Sequence, residues 1–177
     1  MKYSDIPQFT RQSAYRIDVA WAYLEDQLEQ FSHGHRGYVF DMDPDFQRAH
    51  VWDEGKQRRY VEYGLRGGIS SRDIYWNCPG WMRDFRGPMQ LVDGKQRLEA
   101  VRKFMRGELA IFGGHRITDF VGHPPMEARF VFHVNNLNAR AEVLRWYLGL
   151  NEGGVVHTTE ELARVHALLD AEQMPSP

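Results

Sequence analysis

The sequence predicts a mixed α/β domain in which a small sheet is flanked by helices. Three observations carry that expectation. Short apolar runs bounded by turn residues interleave with amphipathic helical stretches along the chain. Of the 177 residues, 42% are hydrophobic and 13% aromatic, enough apolar mass to bury a sizeable core. No internal repeat or low-complexity segment interrupts the pattern, so one domain over residues 1–177 is expected.

The elements follow in order. "YRIDVAWAYLEDQLEQF" spaces Ile17, Trp21, Leu24, Leu28 and Phe31 by fours and threes, which predicts a first helix inside 11–32, and "SHGHRG" breaks it. "YVFDMD" reads as a short strand, and Pro44 opens the irregular "PDFQRAHVW". The second helix runs through "EGKQRRYVEYGLRG", with Asp53 as N-cap and Gly67–Gly68 as its stop. "DIYWN" is a strand, "CPGWMRDFRGP" a loop, and "MQLVD" a buried strand. The third helix, "KQRLEAVRKFMRG", ends at Gly107. "ELAIFGGHRITDFVGHPP" reads as a hairpin and loop, and "ARFVFHV" alternates as a strand. Helices close the chain in "NARAEVLRWYLGL" and in "TTEELARVHALLDAE", the latter capped by Thr158 or Thr159. The tail, 173–177, is expected to fray.

Composition narrows the function classes. A formal net charge of -2 argues against a strongly basic nucleic-acid coat, though not against a local basic groove. The single cysteine, Cys78, excludes an internal disulfide framework and fits a reducing compartment. No apolar run approaches the roughly 20 residues that span a bilayer, and "MKYSDIPQF" lacks a secretory apolar core. A cytoplasmic protein with no membrane partner is expected.

The junction "MQLVDGKQRLEAVRKFM" carries the chemistry. Gly94, between a strand end and a helix start, permits a tight turn and close approach to the backbone. The helix's first turn attracts anions through its N–H groups, and here it also carries Lys95, Gln96 and Arg97. Together these make a phosphate cradle, with Asp93 placed to bind a metal or to orient a nucleophile. The competing reading is an ordinary strand-turn-helix with exposed charges. No P-loop or dinucleotide-type glycine fingerprint is present.

Asp93-Gly94-Lys95-Gln96-Arg97 followed by Leu98 resembles the Asp-Gly-Gln-Gln-Arg signature of the N-terminal domain family of GmrSD-type restriction systems, part of the ParB/sulfiredoxin-like superfamily. Two more blocks resemble that family in the same order. They are "PDFQRAHVWDEGKQRRYVEYGLRG", within 44–67, and "LNEGGVVHTTEELARV", 150–165, around the signature block 91–106.

The resemblance implies a compact ParB/sulfiredoxin-like fold and Mg²⁺-dependent binding of a nucleoside triphosphate (ATP, GTP or CTP). It further implies phosphoryl transfer or hydrolysis linked to DNA, in phage–host defence, counter-defence or DNA modification. It carries Gln47, Arg48, Gly94, Lys95 and Asn151 over as nucleotide-binding residues, with Gly153 and Gly154 shaping the last turn. Asp93, Gln96 and Arg97 become the catalytic group, and Asp93 the metal ligand. Arg48 and Arg97 would fork onto phosphate oxygens, while Gln47, Gln96 and Asn151 would hydrogen-bond phosphate, sugar or base. Turn capping competes as a role for Gln47 and Asn151. Lys95 departs from the family's glutamine and adds a charge. The family's larger members continue into an HNH nuclease domain. This chain ends after the third block, which leaves room for a separate effector or nuclease subunit and for a homodimer. A kinase acting on a DNA base or small hydroxyl acceptor, and a non-catalytic nucleotide-gated DNA-binding module, are the alternatives.

DNA contact is assigned to Arg58 and Arg59 on the second helix and to Trp81, Arg83 and Arg86 in the loop, because aromatics interleaved with arginine suit stacking and phosphate contact. Core packing of those aromatics is the competing reading. Asp41, Asp43 and Asp45 have calcium-loop spacing, but Phe46 and Trp52 occupy the positions an EF-hand gives to Gly and Glu. A solvated acidic turn is the favoured reading, with Mg²⁺ ligation its rival. The eight histidines include no His-x-x-x-His helix pair, so zinc is not expected, and Cys78 is read as a loop or core thiol rather than a redox group.

Overall fold

The computed structural model describes residues 3–6, 8–11, 13–32, 39–47, 52–152 and 159–173. Among these residues five strands, β1 (Tyr15–Ala20), β2 (Phe40–Asp41), β3 (Asp73–Asn77), β4 (Met89–Asp93) and β5 (Arg129–Asn135), form one mixed sheet in the order β1-β5-β3-β4-β2. β1 runs antiparallel to β5, β5 parallel to β3, β3 antiparallel to β4, and β4 parallel to β2. Among the described residues five helices, α1 (Leu24–Ser32), α2 (Glu54–Leu65), α3 (Lys95–Met105), α4 (Arg140–Glu152) and α5 (Thr159–Gln173), flank it. The fold class is therefore mixed α/β, as the interleaved pattern predicts.

Alternating side chains feed two apolar layers. On one face Ile74, Trp76, Leu91, Phe130 and Phe132 pack with Leu28 and Phe31 of α1, Val61 of α2 and Leu98, Val101 and Phe104 of α3. On the other, Val92 packs with Val143, Leu144 and Trp146 of α4 and Val165 and Leu169 of α5. Phe46, 1% exposed, joins this second layer against Tyr147, with ring centroids 5.3 Å apart. That contact anchors the segment after β2.

β3, β4 and the start of α3 fall where the sequence places them. α2 begins as expected, with Asp53 accepting from the Lys56 N–H at 2.6 Å. It closes in a Schellman arrangement: Gly68 N–H donates to Tyr63 O and Gly67 N–H to Gly64 O, with Gly67 at φ 87°.

The first predicted helix needs correction. Residues 15–20 are strand, a single 3₁₀ turn covers Trp21–Tyr23, and α-helix begins only at Leu24. Tyr15, Ile17 and Val19 also fit a period of two, and pairing with the buried β5 settles the ambiguity in favour of strand. Trp21, Leu24, Leu28 and Phe31 keep the buried face assigned to them. The hairpin expected in 108–125 reduces to one isolated bridge, Ile111 with His115, followed by a 3₁₀ turn at Ile117–Asp119. Thr158 and the four C-terminal residues lie outside the described residues, as do the side-chain details of Thr159.

Candidate functional site

The Asp-Gly junction opens onto a cleft of about 270 Å³ at the carboxyl end of β4. β4 approaches it through a bulge. Trp76 pairs with Leu91 but Tyr75 with Asp93, so β4 carries one extra residue just before the turn. Bulges of this kind re-aim the side chains that follow them. Gly94 then turns the chain at φ 104° and ψ 5° and serves as N-cap of α3. The first turn of α3 consequently lines the cleft.

Lining residues come from every sequence block. Gln47 follows β2; Asp93, Gly94, Lys95, Gln96 and Arg97 form the junction; Tyr147, Leu150 and Asn151 come from α4. Of the eight residues assigned to catalysis and nucleotide binding, seven meet here, and Arg48 lies outside the described residues, as do Gly153 and Gly154.

Arg97 is the centre of the charge arrangement. Its Nη2 donates to Asp93 Oδ2 at 2.5 Å and to the carbonyl of Asp73 at 3.0 Å. Its Nε–H is buried with no acceptor among the described residues. The side chains of Arg97 and Asp93 are 21% and 33% exposed, so the pair sits at the wall of the cleft rather than in bulk water. Lys95 adds a second cation, held through its ammonium by Asp43, whose own side chain is 74% exposed.

The amides are tied into the scaffold. Gln47 is buried and donates from Nε2 to Leu91 O, steadying β4 two residues before Asp93. Arg164 of α5 in turn donates to Gln47 O at 2.7 Å. Gln96 is 7% exposed and accepts from Trp52 N–H at 3.0 Å, which fastens the entry of α2 to α3. Asn151 donates to Tyr147 O one helical turn back at 2.6 Å. These bonds give Gln47 and Gln96 a positioning role in this geometry, whatever else they contact.

Sequence reasoning missed an aromatic and hydroxyl wall: Trp52, Lys56, Tyr60 and Ser71. Tyr60 donates from its hydroxyl to Ser71 O at 2.7 Å, and burial raises its phenol well above the ordinary range. The Lys56 ammonium lies 4.9 Å from the Trp52 ring centroid, a cation–π contact. A signal was available, since Trp52, Lys56 and Tyr60 recur at intervals of four, one face of a helix and its entry. Behind the site, burial and the carboxylates of Asp73 and Asp93 push Tyr75 up to about 12. Tyr75 stacks on His133, which is 5% exposed and whose Nε2 lies 2.6 Å from Asp73 Oδ1.

The residues assigned to DNA lie elsewhere. Arg58 and Arg59 are on α2, where Arg58 donates to Ala110 O and pairs with Glu54. Trp81, Arg83 and Arg86 sit in the β3–β4 connection, at the opposite end of those strands from the cleft, about 13 Å away at strand rise. Trp81 packs among Tyr15, Phe31 and Phe85 with centroids 5.4–5.8 Å away, and Arg86 pairs with Asp84. Arg59 and Arg83 are exposed.

The acidic turn does not converge. Asp41 accepts from Asp43 N–H and Gln90, Asp43 pairs with Lys95, and both oxygens of Asp45 accept from Arg140 Nη2 at 2.7 and 2.8 Å. Among the described residues no three His, Cys, Asp or Glu side chains group as a metal site. Also among them, no helix is long and apolar enough to cross a membrane.

Cys78 is fully buried, and burial pushes its thiol up to about 11. At pH 8 the native thiol should react with a chromogenic disulfide reagent on the order of 100-fold more slowly than in denatured protein, because the thiolate is the nucleophile. Equal rates would contradict the burial.

Comparison of the chain with protein-family models, curated proteins and solved structures returned no match.

Proposed function

We propose that the cleft binds a nucleoside triphosphate and transfers or hydrolyses its terminal phosphate in a DNA-linked setting, as the resemblance to the ParB/sulfiredoxin-like class implies. One observation carries the reading. Arg97, Lys95, Lys56 and the first turn of α3 converge with Asp93 on one cleft. A phosphate complements these cations, and the helix N-terminus adds to the attraction. Phosphoryl transfer depends mainly on positioning and charge neutralisation, which these groups provide.

Mg²⁺ fits on the donor chemistry. In nucleotide sites this ion takes one or two carboxylates and completes its shell with phosphates and water. Asp93 is the carboxylate available in the cleft, and a three-residue protein cage is not required. Magnesium would neutralise charge on the phosphates. Arg97 orients Asp93, and Gly94 makes the turn that brings the start of α3 to the cleft.

The test is purified protein with Mg²⁺ and each of ATP, GTP and CTP, with and without DNA, scored for released phosphate and for phosphorylated acceptor. Asp93→Asn runs alongside, since it keeps the shape and removes the charge. Turnover with at least one nucleotide, reduced on the order of 100-fold in Asp93→Asn, is expected. Acceptor-dependent nucleoside diphosphate formation would point to the kinase alternative. Binding without turnover would point to the nucleotide-gated module, and no binding at all would overturn the reading.

A further inference from the structure

Residues 54–72, α2 and the turn after it, carry five cations and two acids, a net charge of +3 in a chain whose total is -2. The rest of the chain is therefore at -5, and positive charge concentrates in this segment. The helix then sorts its charges by face. Lys56, Arg59, Tyr63 and the C-cap Arg66 are all exposed and follow one another at intervals of three, four and three residues, a single stripe. The acids are engaged off that stripe: Glu54 pairs with Arg58, and Glu62 accepts from Phe112 N–H at 2.7 Å. Among the described residues none of the three cations on the stripe forms an ion pair.

Tyr63 interrupts the cations with a ring that is 43% exposed and yet held in place. Its hydroxyl lies 2.6 Å from Ser70 Oγ and accepts from Ser70 N–H at 3.2 Å, while Gly68 packs so closely that a Cβ there would stand 2.3 Å from the ring. A ring fixed beforehand loses little freedom when something stacks on it. The stripe also starts at the candidate site. Lys56 lines the cleft, as do Tyr60 one turn further along α2 and Ser71 from the turn. From Lys56 to Arg66 is ten residues, about 15 Å along the helix. A stacked strand of nucleic acid carries one phosphate per 3.4 Å or so, giving room for about four.

We propose that this face of α2 is a track for single-stranded DNA beside the cleft, an assignment that rests on the DNA-linked reading of that cleft and locates the strand. Lys56, Arg59 and Arg66 take the backbone, and Tyr63 stacks on a base. Charge complementarity selects a polyanion. The held ring among the cations selects unpaired bases, since stacking platforms between basic side chains suit single strands of any sequence. A duplex keeps its base faces covered and would leave Tyr63 unused. Arg58, tied to Ala110 O and Glu54, is not part of the track.

Fluorescence anisotropy of a labelled oligothymidylate of about 12 nucleotides reads the binding. Affinity should fall with salt at a log–log slope of about 2, as three cations at roughly 0.7 each would give. Arg59→Glu with Arg66→Glu should weaken binding at least about tenfold. Arg83 and Arg86, in the β3–β4 connection, offer the rival surface. Arg83→Glu with Arg86→Glu makes the same change in net charge and should leave the affinity within about twofold. Tyr63→Leu should cost at least about fivefold, and a duplex of equal length should bind more weakly than the single strand. Tripolyphosphate, titrated at physiological ionic strength to screen charges beyond about 8 Å, reads the cleft separately. Retained tripolyphosphate affinity with no oligonucleotide binding would overturn the track and leave the phosphate cleft standing. Oligonucleotide binding without tripolyphosphate binding would support the track and count against the cleft. Equal losses in the two charge-reversed pairs, wild-type affinity in Arg59→Glu with Arg66→Glu or in Tyr63→Leu, or tighter binding of the duplex would each overturn the proposal.

Discussion

Arg97→Ala should weaken nucleoside triphosphate binding by roughly 10- to 150-fold, the equivalent of one charged hydrogen bond of about 1.5–3 kcal/mol. The same loss should appear with inorganic tripolyphosphate, because the interaction assigned to Arg97 is with phosphate and not with base or sugar. The guanidinium already divides Nη2 between Asp93 and the Asp73 carbonyl, and the side chain, 21% exposed, keeps surface at the cleft. Lysine has no planar fork with which to repeat that division, so Arg97→Lys should recover less than half of the loss. Removing the side chain also strips a partner from Asp93 and from Asp73 O. Stability should fall by about 1–3 kcal/mol, and affinities are best compared well below the variant's Tm. Calorimetric titration with tripolyphosphate decides the matter: wild-type affinity in Arg97→Ala would remove the main support for a phosphate site.

The parts of this site that were legible in the sequence are local ones. A buried run, Met89–Asp93, followed by Gly94 and an amphipathic stretch, specifies strand, turn and helix within a few residues. The charges of the first turn come with them. What the pattern could not supply was anything fixed by distant partners. Ile17 and Trp21 are four apart, so a helical period fits 15–20 as well as a strand does. The partner that decides, β5, lies more than 100 residues away. Gln96 and Gln47 look like ligand-binding amides in one dimension. In three, the carbonyl oxygen of one holds Trp52 and the amide nitrogen of the other holds Leu91. Nothing local marks Tyr60 and Tyr147, because an aromatic at helical spacing is ordinarily core. Here α2 and α4, on opposite faces of the sheet, bring them to one rim beyond the end of β4. The loop 78–88 shows another limit: its aromatic and arginine content suggests nucleic-acid contact, while only topology puts it at the other end of β3 and β4 from the cleft.

Gly94→Ala tests whether the turn itself is specified by its glycine, and here the expected effect is on stability. Two costs add. At φ 104° a side chain strains the backbone, and strain of this kind costs of order 1–3 kcal/mol. A Cβ would also stand 2.5 Å from Ile74 Cδ1 and 3.3 Å from Ile74 Cα, and Ile74 is fully buried, so the methyl cannot simply swing into solvent. Overpacking of this sort adds about 1–3 kcal/mol. Allowing for partial relaxation, a loss of about 2–4 kcal/mol is expected, or a Tm lower by roughly 5–12 °C for a chain of this size. Ile74→Val separates the two costs, since it removes Cδ1 and alone costs about 0.5–1.5 kcal/mol. If the clash matters, the double variant will be more stable than the sum of the single losses by about 1 kcal/mol or more, the coupling expected of residues in contact. If backbone strain dominates, the losses will add. A Gly94→Ala protein as stable as the wild type would mean that the turn relaxes freely, and the rigid approach of α3 to the end of β4, on which the cleft's geometry depends, would have to be abandoned.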